Sequence, residues 1–540
     1  MTLDLARSAQ PDSATASPWW KGAVIYQIYP RSFADSNGDG IGDLKGASAR
    51  LDHIAALGCD AVWLSPFFTS PMRDFGYDVA DYRGVDPIFG TLEDFDALVV
   101  RAHELGLKVM IDQVYSHSSD QHPWFLDSRS SRGSDKADWY VWADPKSDGS
   151  PPNNWQSVFG GPSWTWDARR EQYYHHSFLK EQPQLNLHNV EVQDALLEVA
   201  QFWLDRGVDG FRLDALNFAM HDPALTDNPP VENPAKRGRP FDYQHHLYSQ
   251  GHPDITRFIE RVRELTDRYD ARFTVAEVGG ERAADEMKLY TAGDTRLNSA
   301  YGFDYLYADA LTPKVVRQTI ADWPGGSGEG WPSWAFSNHD APRFASRWWE
   351  AKDRDACVRV ALMLLMSLRG NVILYQGEEL GLPQAHVPFE RLQDPEAMAN
   401  WPQTLGRDGA RTPMPWTSAV DGGFGSGKPW LPLDSAHLGY NVEGQRNDAG
   451  SILNWTRQLI AVRHQMPTLR QGAIRLIDEV SDQIVAFERE LAGERIACVL
   501  NLSAAPAANP VIGGEALIDV GGARPDASQL PPASGYIARC

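Results

Sequence analysis

Short apolar runs alternate with longer amphipathic stretches along most of the chain. The apolar runs are "AVIYQIYP", "AVWLSPF", "LKVMIDQVYSH", "DGFRLDAL", "RFTVAEVGG", "SWAFSNHD" and "NVILYQGEEL". Stretches such as "LEDFDALVVRAHELG" lie between them and carry apolar residues at helical spacing. This alternation predicts βαβ units of a parallel sheet. About eight such units favour a closed (β/α)8 TIM barrel, and thus the α/β fold class, over an open sheet.

Changes in composition and in the pattern of apolar residues along the chain predict the domain organisation. Residues 1–17 read as a solvated tail, and residues 18–115 and 187–468 as the barrel. Residues 116–186, rich in Trp, Pro, Gly, Ser and Asp, predict a subdomain inserted after the third strand. From residue 469 onward, "AIRLIDEV", "IVAFERE", "RIACVLNL" and "EALIDV" predict a C-terminal antiparallel β domain ending at residue 540.

The overall composition restricts the class of partner. The net charge of −22 predicts repulsion from nucleic acid and from anionic membranes, and suits a small neutral substrate. Four cysteines without CxxC spacing indicate neither a zinc site nor a disulfide framework. The N-terminal segment lacks an apolar stretch, and no apolar run approaches the length of a membrane span. We therefore expect a cytoplasmic protein, either a monomer or a homodimer.

Polar side chains follow several of the predicted strands, at the ends where the strands stop. They are Asp112, His117, Arg212, Asp214, Glu277, Asn338, His339 and Asp340. A single Asp at such a position is more simply the cap of the next helix. In a barrel, however, these strand ends form one rim, where active sites are built. Four strands ending in carboxylates or imidazoles therefore predict a site.

Carboxylates with a guanidinium among them suggest glycoside chemistry. A retaining glycosidase needs an ionised carboxylate as nucleophile and a protonated carboxyl as acid, about 5–5.5 Å apart. Arg212, two residues from Asp214, predicts a lowered pKa for that carboxyl. Glu277, in an apolar strand near other acids, predicts a raised pKa. The sequence thus predicts one charged and one protonated acid.

Several motifs, read in order, resemble α-glucosidases of the α-amylase superfamily, in the bacterial maltase and oligo-1,6-glucosidase group. They are "WWKGAVIYQIYPRSFADSNGDGIGDLKG", "GYDVADY", "DQVYSHSSDQHPWF", "EQPQLN", "GFRLDAL", "VAEV", "SNHDAPR" and "GRDGARTPMPW", spanning residues 19–416. The resemblance implies Asp214 as nucleophile, Glu277 as acid/base and Asp340 as the third carboxylate, which binds the distorted glucosyl ring.

The resemblance also implies a sugar subsite. His117, Arg212 and His339 match residues that hydrogen-bond the sugar, and Tyr77, Phe159, Phe178 and Gln182 fall where the family lines the same subsite. Asp78 and Arg411 match a pair that closes the pocket around the non-reducing glucose, which implies exo-action. The alternative for these two is a surface ion pair, which contributes about 0–1 kcal/mol.

The segment "DSNGDGIGD" resembles a calcium loop. Asp35, Asn37 and Asp39 alternate, and the Ile41 carbonyl and Asp43 can complete an oxygen shell for a structural Ca²⁺ or Mg²⁺ ion. The alternative is a turn without metal. Ser116 stands where amylases carry a calcium-binding Asn, which argues against a second ion. No cofactor is expected for catalysis.

These observations predict a retaining exo-α-glucosidase acting on short substrates such as maltose, with transglucosylation chemically available. Ala215, next to the predicted nucleophile, favours α-1,4 over α-1,6 linkages in such enzymes. The alternatives are a sucrose or maltose isomerase or glucosyltransferase of the same fold, and an α-1,6-preferring oligoglucosidase. A membrane-anchored, non-catalytic relative is disfavoured, because all three acids are present and no anchor is seen.

Overall fold

The computed structural model describes residues 17–233, 238–323, 330–349, 354–402, 404, 406–477, 480–510 and 514–540. The predicted solvated tail therefore lies outside the described residues, apart from its last position. In chain order the strands are β1 (Val24–Ile28), β2 (Ala61–Leu64), β3 (Phe68–Thr69), β4 (Asp81–Val85), β5 (Lys108–Val114), β6 (Trp142–Ala143), β7 (Trp164–Asp167), β8 (Gln172–His175), β9 (Gly210–Asp214), β10 (Phe273–Glu277), β11 (Ser299–Tyr301), β12 (Trp331–Ala335), β13 (Asn371–Tyr375), β14 (Ala473–Leu476), β15 (Ile484–Leu491), β16 (Glu494–Asn501), β17 (Ala507–Ala508), β18 (Glu515–Val520), β19 (Gln529–Leu530) and β20 (Ser534–Arg539).

Eight parallel strands close into a barrel, in the order β1-β13-β12-β11-β10-β9-β5-β2. The predicted TIM barrel is thus confirmed. Seven of its strands overlap the apolar runs; six are shorter than their runs, and β12 begins two residues earlier, at Trp331. The eighth strand, β11, was missed because only three residues, Ser299–Tyr301, form it. In β1, β9, β10 and β13 every residue is buried, as expected for parallel strands covered on both faces.

The helices of the described chain cover the barrel and its appendages. They are α1 (Leu44–Ala49), α2 (Leu51–Leu57), α3 (Leu92–Glu104), α4 (Pro123–Ser128), α5 (Val190–Asp205), α6 (Ile255–Thr266), α7 (Ala283–Thr291), α8 (Pro313–Asp322), α9 (Phe344–Arg347), α10 (Arg354–Ser367), α11 (Pro395–Asn400), α12 (Val442–Asn447), α13 (Ile452–Gln465) and α14 (Pro467–Gln471). α3 shows why they form: Thr91 and Asp94 make a reciprocal capping box, and Phe95 and Leu98 bury its apolar face. Among the described helices, none is both long and apolar enough to cross a bilayer.

The chain between β5 and β9 leaves the barrel and forms a small sheet of its own. Its strands run in the order β6-β8-β7, and all pairings are antiparallel. Trp155 stacks on Trp164 of β7 with their ring centroids 6.0 Å apart, within a small buried apolar cluster. Several of the Trp residues of this segment therefore supply its core.

An antiparallel sheet follows the barrel, in the order β14-β15-β16-β20-β18. Four of its strands were predicted, and β20 is an addition. Arg489 of β15 is fully buried and donates from Nη1 to the Ser367 carbonyl at the end of α10, at 2.7 Å. This contact ties the C-terminal sheet to the barrel.

Candidate active site

Three acids lie at or just beyond the carboxyl ends of the barrel strands β9, β10 and β12. Asp214 ends β9, Glu277 ends β10, and Asp340 follows β12 by a short loop. Asp214 and Glu277 are only 8% and 5% exposed. Because the strands are parallel, these ends share one rim of the barrel. The structure therefore gathers the acids that the sequence singled out.

One buried guanidinium links three carboxylates at this rim. Arg212 Nη1 donates to Asp112 Oδ1 at 2.6 Å and to Asp214 Oδ1 at 2.5 Å. Its Nη2 forms an ion-pair contact with Glu277 Oε2 at 2.5 Å. The side chain of Arg212 is fully buried, as is that of Asp112. Arg212 thus compensates the charge that this group of acids carries inside the protein.

The pKa of Asp214 departs from the sequence prediction, chiefly because the carboxyl is buried. Burial raises the pKa of Asp214 well above its ordinary value, the Arg212 guanidinium lowers it, and Glu277 and Asp112 raise it again. Burial also raises the pKa of Asp112 to about 6. The predicted lowered pKa of Asp214 is therefore wrong. Arg212 acts in the predicted direction, but one positive charge is divided among three acids.

Tyr301 and Ala215 hold Glu277 in place. The Tyr301 hydroxyl donates to Glu277 Oε1 at 2.9 Å and accepts from Arg212 Nε at 3.1 Å. The Ala215 amide donates to Glu277 Oε2 at 3.2 Å. Ala215 has a φ of 39°, in the left-handed region, and so turns the chain directly after Asp214. This turn brings the Ala215 amide toward the neighbouring acid.

Asp340 lies beside two guanidinium groups and one imidazole. Its carboxylate accepts from Arg411 Nη2 at 2.5 Å and from Arg407 Nη1 at 3.3 Å, and lies 3.2 Å from His339 Nε2. Burial opposes ionisation of Asp340, but His339, Arg411 and Arg407 outweigh it and hold the pKa far below its ordinary value. Asp340 is therefore ionised throughout the neutral range.

The predicted pair of Asp78 and Arg411 is not formed. The fully buried Asp78 carboxylate accepts from Ser70 Oγ at 2.8 Å and from the amides of Arg73 at 2.9 Å and Asp74 at 3.0 Å. Arg411 instead contacts Asp340 and donates from Nε to the His339 carbonyl at 2.7 Å. Asp78 is thus used by its own loop, whose amides would otherwise be unsatisfied.

A different pair, Asp74 and Arg407, forms between the same two segments. Arg407 Nη2 lies 2.7 Å from Asp74 Oδ1 and 2.8 Å from Asp394 Oδ1. Through Nη1 the same guanidinium reaches Asp340. The segments "RDFGYD" and "GRDGAR" each hold two candidates of the right type, and sequence alone gave no reason to prefer one.

The remaining predicted lining residues come together around this network. Gln182 Nε2 lies 3.1 Å from both Asp74 Oδ2 and His117 Nε2. The His117 ring contacts Phe178 at a centroid distance of 5.2 Å, and Phe178 contacts Phe159 at 5.9 Å.

Tyr77 and His339 continue the lining, since His117 Nε2 also lies 3.1 Å from the Tyr77 carbonyl. Their rings stack 5.3 Å apart and almost parallel, and the Tyr77 hydroxyl lies 2.6 Å from His339 Nε2. Gln27 and Trp63 support them: Gln27 Nε2 lies 2.8 Å from His339 Nδ1, and Trp63 Nε1 donates to Asp112 at 3.0 Å. Sequence reasoning missed both supports. Gln27 left one signal, a polar residue within the apolar run of β1.

The predicted metal loop offers oxygen atoms only. Asp35, Asn37 and Asp39 each accept a backbone amide from within the loop, which folds it into successive turns. Asp43 accepts from the Ser36 amide and, as the cap of α1, from the Gly46 amide. Three carboxylates with an amide oxygen and the Ile41 carbonyl form a donor set suited to a hard cation. These residues fit Ca²⁺, and its binding stays a prediction.

Comparison with known proteins places the chain in a family. The family described as alpha amylase, catalytic domain, matches residues 27–472. The chain is 53% identical over 494 residues to a probable alpha-glucosidase of Rhizobium meliloti (strain 1021), covering 90% of this chain and 89% of that relative. It is 36% identical over 517 residues to an oligo-1,6-glucosidase of Parageobacillus thermoglucosidasius, covering 90% of each.

Solved structures agree with this assignment. The crystal structure of the alpha-glucosyl transfer enzyme XgtA is 50% identical, with a TM-score of 0.93, and the match covers 97% of this chain and 100% of that one. The trehalulose synthase MutB from Pseudomonas mesoacidophila MX-45 is 33% identical, with a TM-score of 0.89 and the same coverage. The chain therefore belongs to the α-amylase family of glycoside hydrolases.

Proposed function

We propose that the protein is a retaining exo-α-glucosidase that releases α-glucose from the non-reducing end of short α-1,4-linked substrates such as maltose. The observation that carries this proposal is the pair of acids on Arg212, with Asp214 on Nη1 and Glu277 on Nη2. One guanidinium spans both carboxylates, which favours the retaining separation of about 5–5.5 Å over the inverting one of about 6.5–9.5 Å.

In the proposed reaction Asp214 attacks the anomeric carbon while Glu277 protonates the leaving oxygen. The glucosyl–Asp214 ester is then cleaved by water, which Glu277 deprotonates, so that the configuration is retained. The reaction requires one ionised and one protonated carboxyl. Three acids sharing one guanidinium support this, because full ionisation would leave a net charge of −2 on buried groups.

Exo-action is inferred from the ion pairs beside Asp340. Arg407 joins Asp74, Asp394 and Asp340, and is itself almost fully buried. Paired charges held this way form a wall with hydrogen-bonding groups for sugar hydroxyls. We infer that Asp74 and Arg407 close the pocket behind a terminal glucosyl unit and so exclude longer chains on that side.

A second candidate deserves testing, because structurally similar proteins include a glucosyl transfer enzyme and a trehalulose synthase. The same ester could be transferred to another hydroxyl instead of water. A structural Ca²⁺ ion on the Asp35–Asp43 loop, a small neutral sugar as substrate and a monomeric or homodimeric state in the cytoplasm complete the proposal.

The test is incubation of the enzyme with maltose, isomaltose, sucrose and maltotriose side by side, with product anomers followed by NMR. The proposal expects α-glucose to appear first from maltose and maltotriose, with slower cleavage of isomaltose. Trehalulose or isomaltulose as the main product from sucrose would favour the isomerase, and β-glucose as the first product would exclude retention.

A further inference from the structure

Four histidine rings, those of His175, His221, His188 and His252, form a row from the inserted sheet to the start of α6, outside the candidate active site. The ring centroids of His175 and His221 are 6.0 Å apart, those of His221 and His188 5.3 Å, and those of His188 and His252 5.1 Å. Within the described chain, Nδ1 of His175 and Nδ1 of His221 are buried without a hydrogen-bond partner. Unpartnered buried nitrogens of this kind call for an explanation.

At the end of this row nearest α6, His188 and His252 lie close to the carboxylate of Asp254. One ligand atom from each of His188, His252 and Asp254 lies within 4.8 Å of the other two. In the part of the chain that the structure describes, this is the one group of three His, Cys, Asp or Glu side chains arranged so that it could hold a metal ion. All three side chains are partly buried, so the group is fixed by its surroundings and still reachable from solvent.

His188 is oriented as a metal ligand would be. Its Nε2 lies 2.8 Å from the His221 carbonyl, which can only accept, so Nε2 carries the proton. Nδ1 of His188 then keeps its lone pair. A ring N–H bonded to a backbone carbonyl is the usual support of a metal-binding histidine, since it fixes both the tautomer and the ring orientation. The same bond places His221, whose ring Nδ1 lacks a hydrogen-bond partner, beside the group.

We propose that His188, His252 and Asp254 bind a divalent transition-metal ion of the Zn²⁺ class. Two imidazoles and one carboxylate suit Zn²⁺, Co²⁺ or Ni²⁺ and do not suit Ca²⁺ or Mg²⁺, which take oxygen ligands. Three protein ligands and a water complete a four-coordinate shell. The net charge of −22 raises the local concentration of cations.

The ligand atoms of His188, His252 and Asp254 would have to move only slightly closer together to bind an ion. Metal–ligand bonds of about 2.0–2.2 Å at tetrahedral angles put ligand atoms about 3.4 Å apart. His252 Nδ1 lies 4.0 Å from Asp254 Oδ2, and the Asp254 amide donates to that nitrogen over a long 3.3 Å. Both side chains are partly exposed, so on binding an ion we expect them to close the remaining gap by rotation.

The location gives the ion a structural role. His188 lies just before α5, and His252 and Asp254 lie just before α6, so the ion joins the starts of two neighbouring barrel helices. The His221 carbonyl belongs to the loop after β9, the strand that carries Asp214. A ligand that binds only the folded state stabilises it by mass action. We therefore expect Zn²⁺ to raise the thermal stability of the folded protein.

The test is titration of the chelator-treated full-length protein with ZnCl₂ in competition with a chromophoric chelator. One equivalent of Zn²⁺ should bind to the unchanged protein. In His252→Ala and in Asp254→Asn the affinity should fall at least about tenfold. His386→Ala removes an exposed histidine elsewhere on the surface and should bind Zn²⁺ as the unchanged protein does.

Two further measurements distinguish the loss of a metal ligand from poor folding of a variant. Zn²⁺ should raise the Tm of the unchanged protein and of His386→Ala, but not that of His252→Ala. Co²⁺ should give the visible absorption of a four-coordinate site, absent in His252→Ala. Equal Zn²⁺ affinity and stoichiometry in the unchanged protein, His252→Ala and Asp254→Asn would overturn the proposal, as would displacement of Zn²⁺ by Ca²⁺ at equal concentration.

Discussion

Arg407 and Asp74 form a buried ion pair, with Nη2 and Oδ1 2.7 Å apart, although the two residues lie in loops far apart in the sequence. Through its other terminal nitrogen Arg407 also reaches Asp340, the third acid of the candidate site. The pair therefore connects the proposed wall of the pocket to Asp340, the group that is proposed to bind the sugar ring.

Asp74→Asn should weaken substrate binding more than it affects folding. The substitution keeps the shape of the side chain and removes the charge opposite Arg407. A hydrogen bond to a charged group contributes about 1.5–3 kcal/mol, so kcat/KM for maltose should fall about 10- to 100-fold, mainly through KM. Steady-state kinetics on maltose measure this.

Arg73→Ala is the matched control for that variant, because Arg73 is the exposed neighbour on the same loop and its kinetics should not change. The assignment of the pocket wall would be wrong if Asp74→Asn behaved like Arg73→Ala. It would also be wrong if Asp78→Asn alone raised KM without lowering Tm.

Glu277→Gln should distinguish the role of the acid from that of the nucleophile. Removal of general acid catalysis costs about 10²–10⁴ in rate for maltose, whose leaving group needs a proton. Cleavage of an aryl glucoside with a good leaving group should be much less affected in its first step. Added azide should then trap the glucosyl enzyme as glucosyl azide, detected by NMR.

Asp214→Asn serves as the comparison, since loss of the nucleophile should remove activity on both substrates and azide should rescue neither. Circular dichroism and Tm establish that both variants fold. A Glu277→Gln enzyme that lost maltose and aryl glucoside cleavage equally would contradict its role as acid.

Asp112→Asn should move the acidic limb of the pH–activity profile to lower pH. The Asp112 and Asp214 oxygens contact the same nitrogen of Arg212, so they lie within about 5 Å of each other. At that distance and an effective dielectric of about 20, like charges repel by about 3 kcal/mol. Removing one charge favours ionised Asp214 and lowers its pKa, and activity needs the ionised form.

The acidic limb of kcat/KM should therefore shift down by at least about half a pH unit, part of the repulsion being absorbed by rearrangement of Arg212. Asp135→Asn, at an exposed position remote from the barrel rim in sequence, should leave the profile unchanged. A shift to higher pH in Asp112→Asn would contradict the electrostatic account of the three acids.

Removal of the proposed calcium ion should lower stability without removing activity at low temperature. Treatment with a Ca²⁺-selective chelator should reduce Tm, and added Ca²⁺ should restore it, because a ligand bound only to the folded state stabilises it. Asp39→Ala should abolish this response, whereas His252→Ala should retain it. A Tm independent of Ca²⁺ in the unchanged protein would show that the loop binds no stabilising Ca²⁺ ion.

The barrel could be predicted because its signal is repeated. Each of seven apolar runs is bounded by turn residues and separated by a helical stretch, so single errors do not change the topology. β11 was missed because a three-residue strand is too short to show periodicity. In the C-terminal sheet, β20 was missed for a related reason: Gly535 breaks the apolar pattern that follows Ser534.

The acids of the site could be predicted because parallel strands fix where their ends lie. The side chains that pair with those acids could not be predicted. Arg407 and Arg411 are four residues apart in an irregular loop, where no periodicity indicates which side chain points into the pocket. Likewise, the charge on Asp214 depends on how many acids share Arg212, and this number is a property of three strands together.

Asp214 is proposed to form a covalent bond to glucose. We would trap this ester with a fluorinated α-glucosyl fluoride, whose glucosyl enzyme is hydrolysed slowly, and locate it by proteolysis and tandem mass spectrometry. One glucosyl adduct per chain is expected on the peptide that contains Asp214, and none in Asp214→Asn. An adduct on a different residue, or inactivation by the reagent without any adduct, would refute the role of Asp214 as nucleophile.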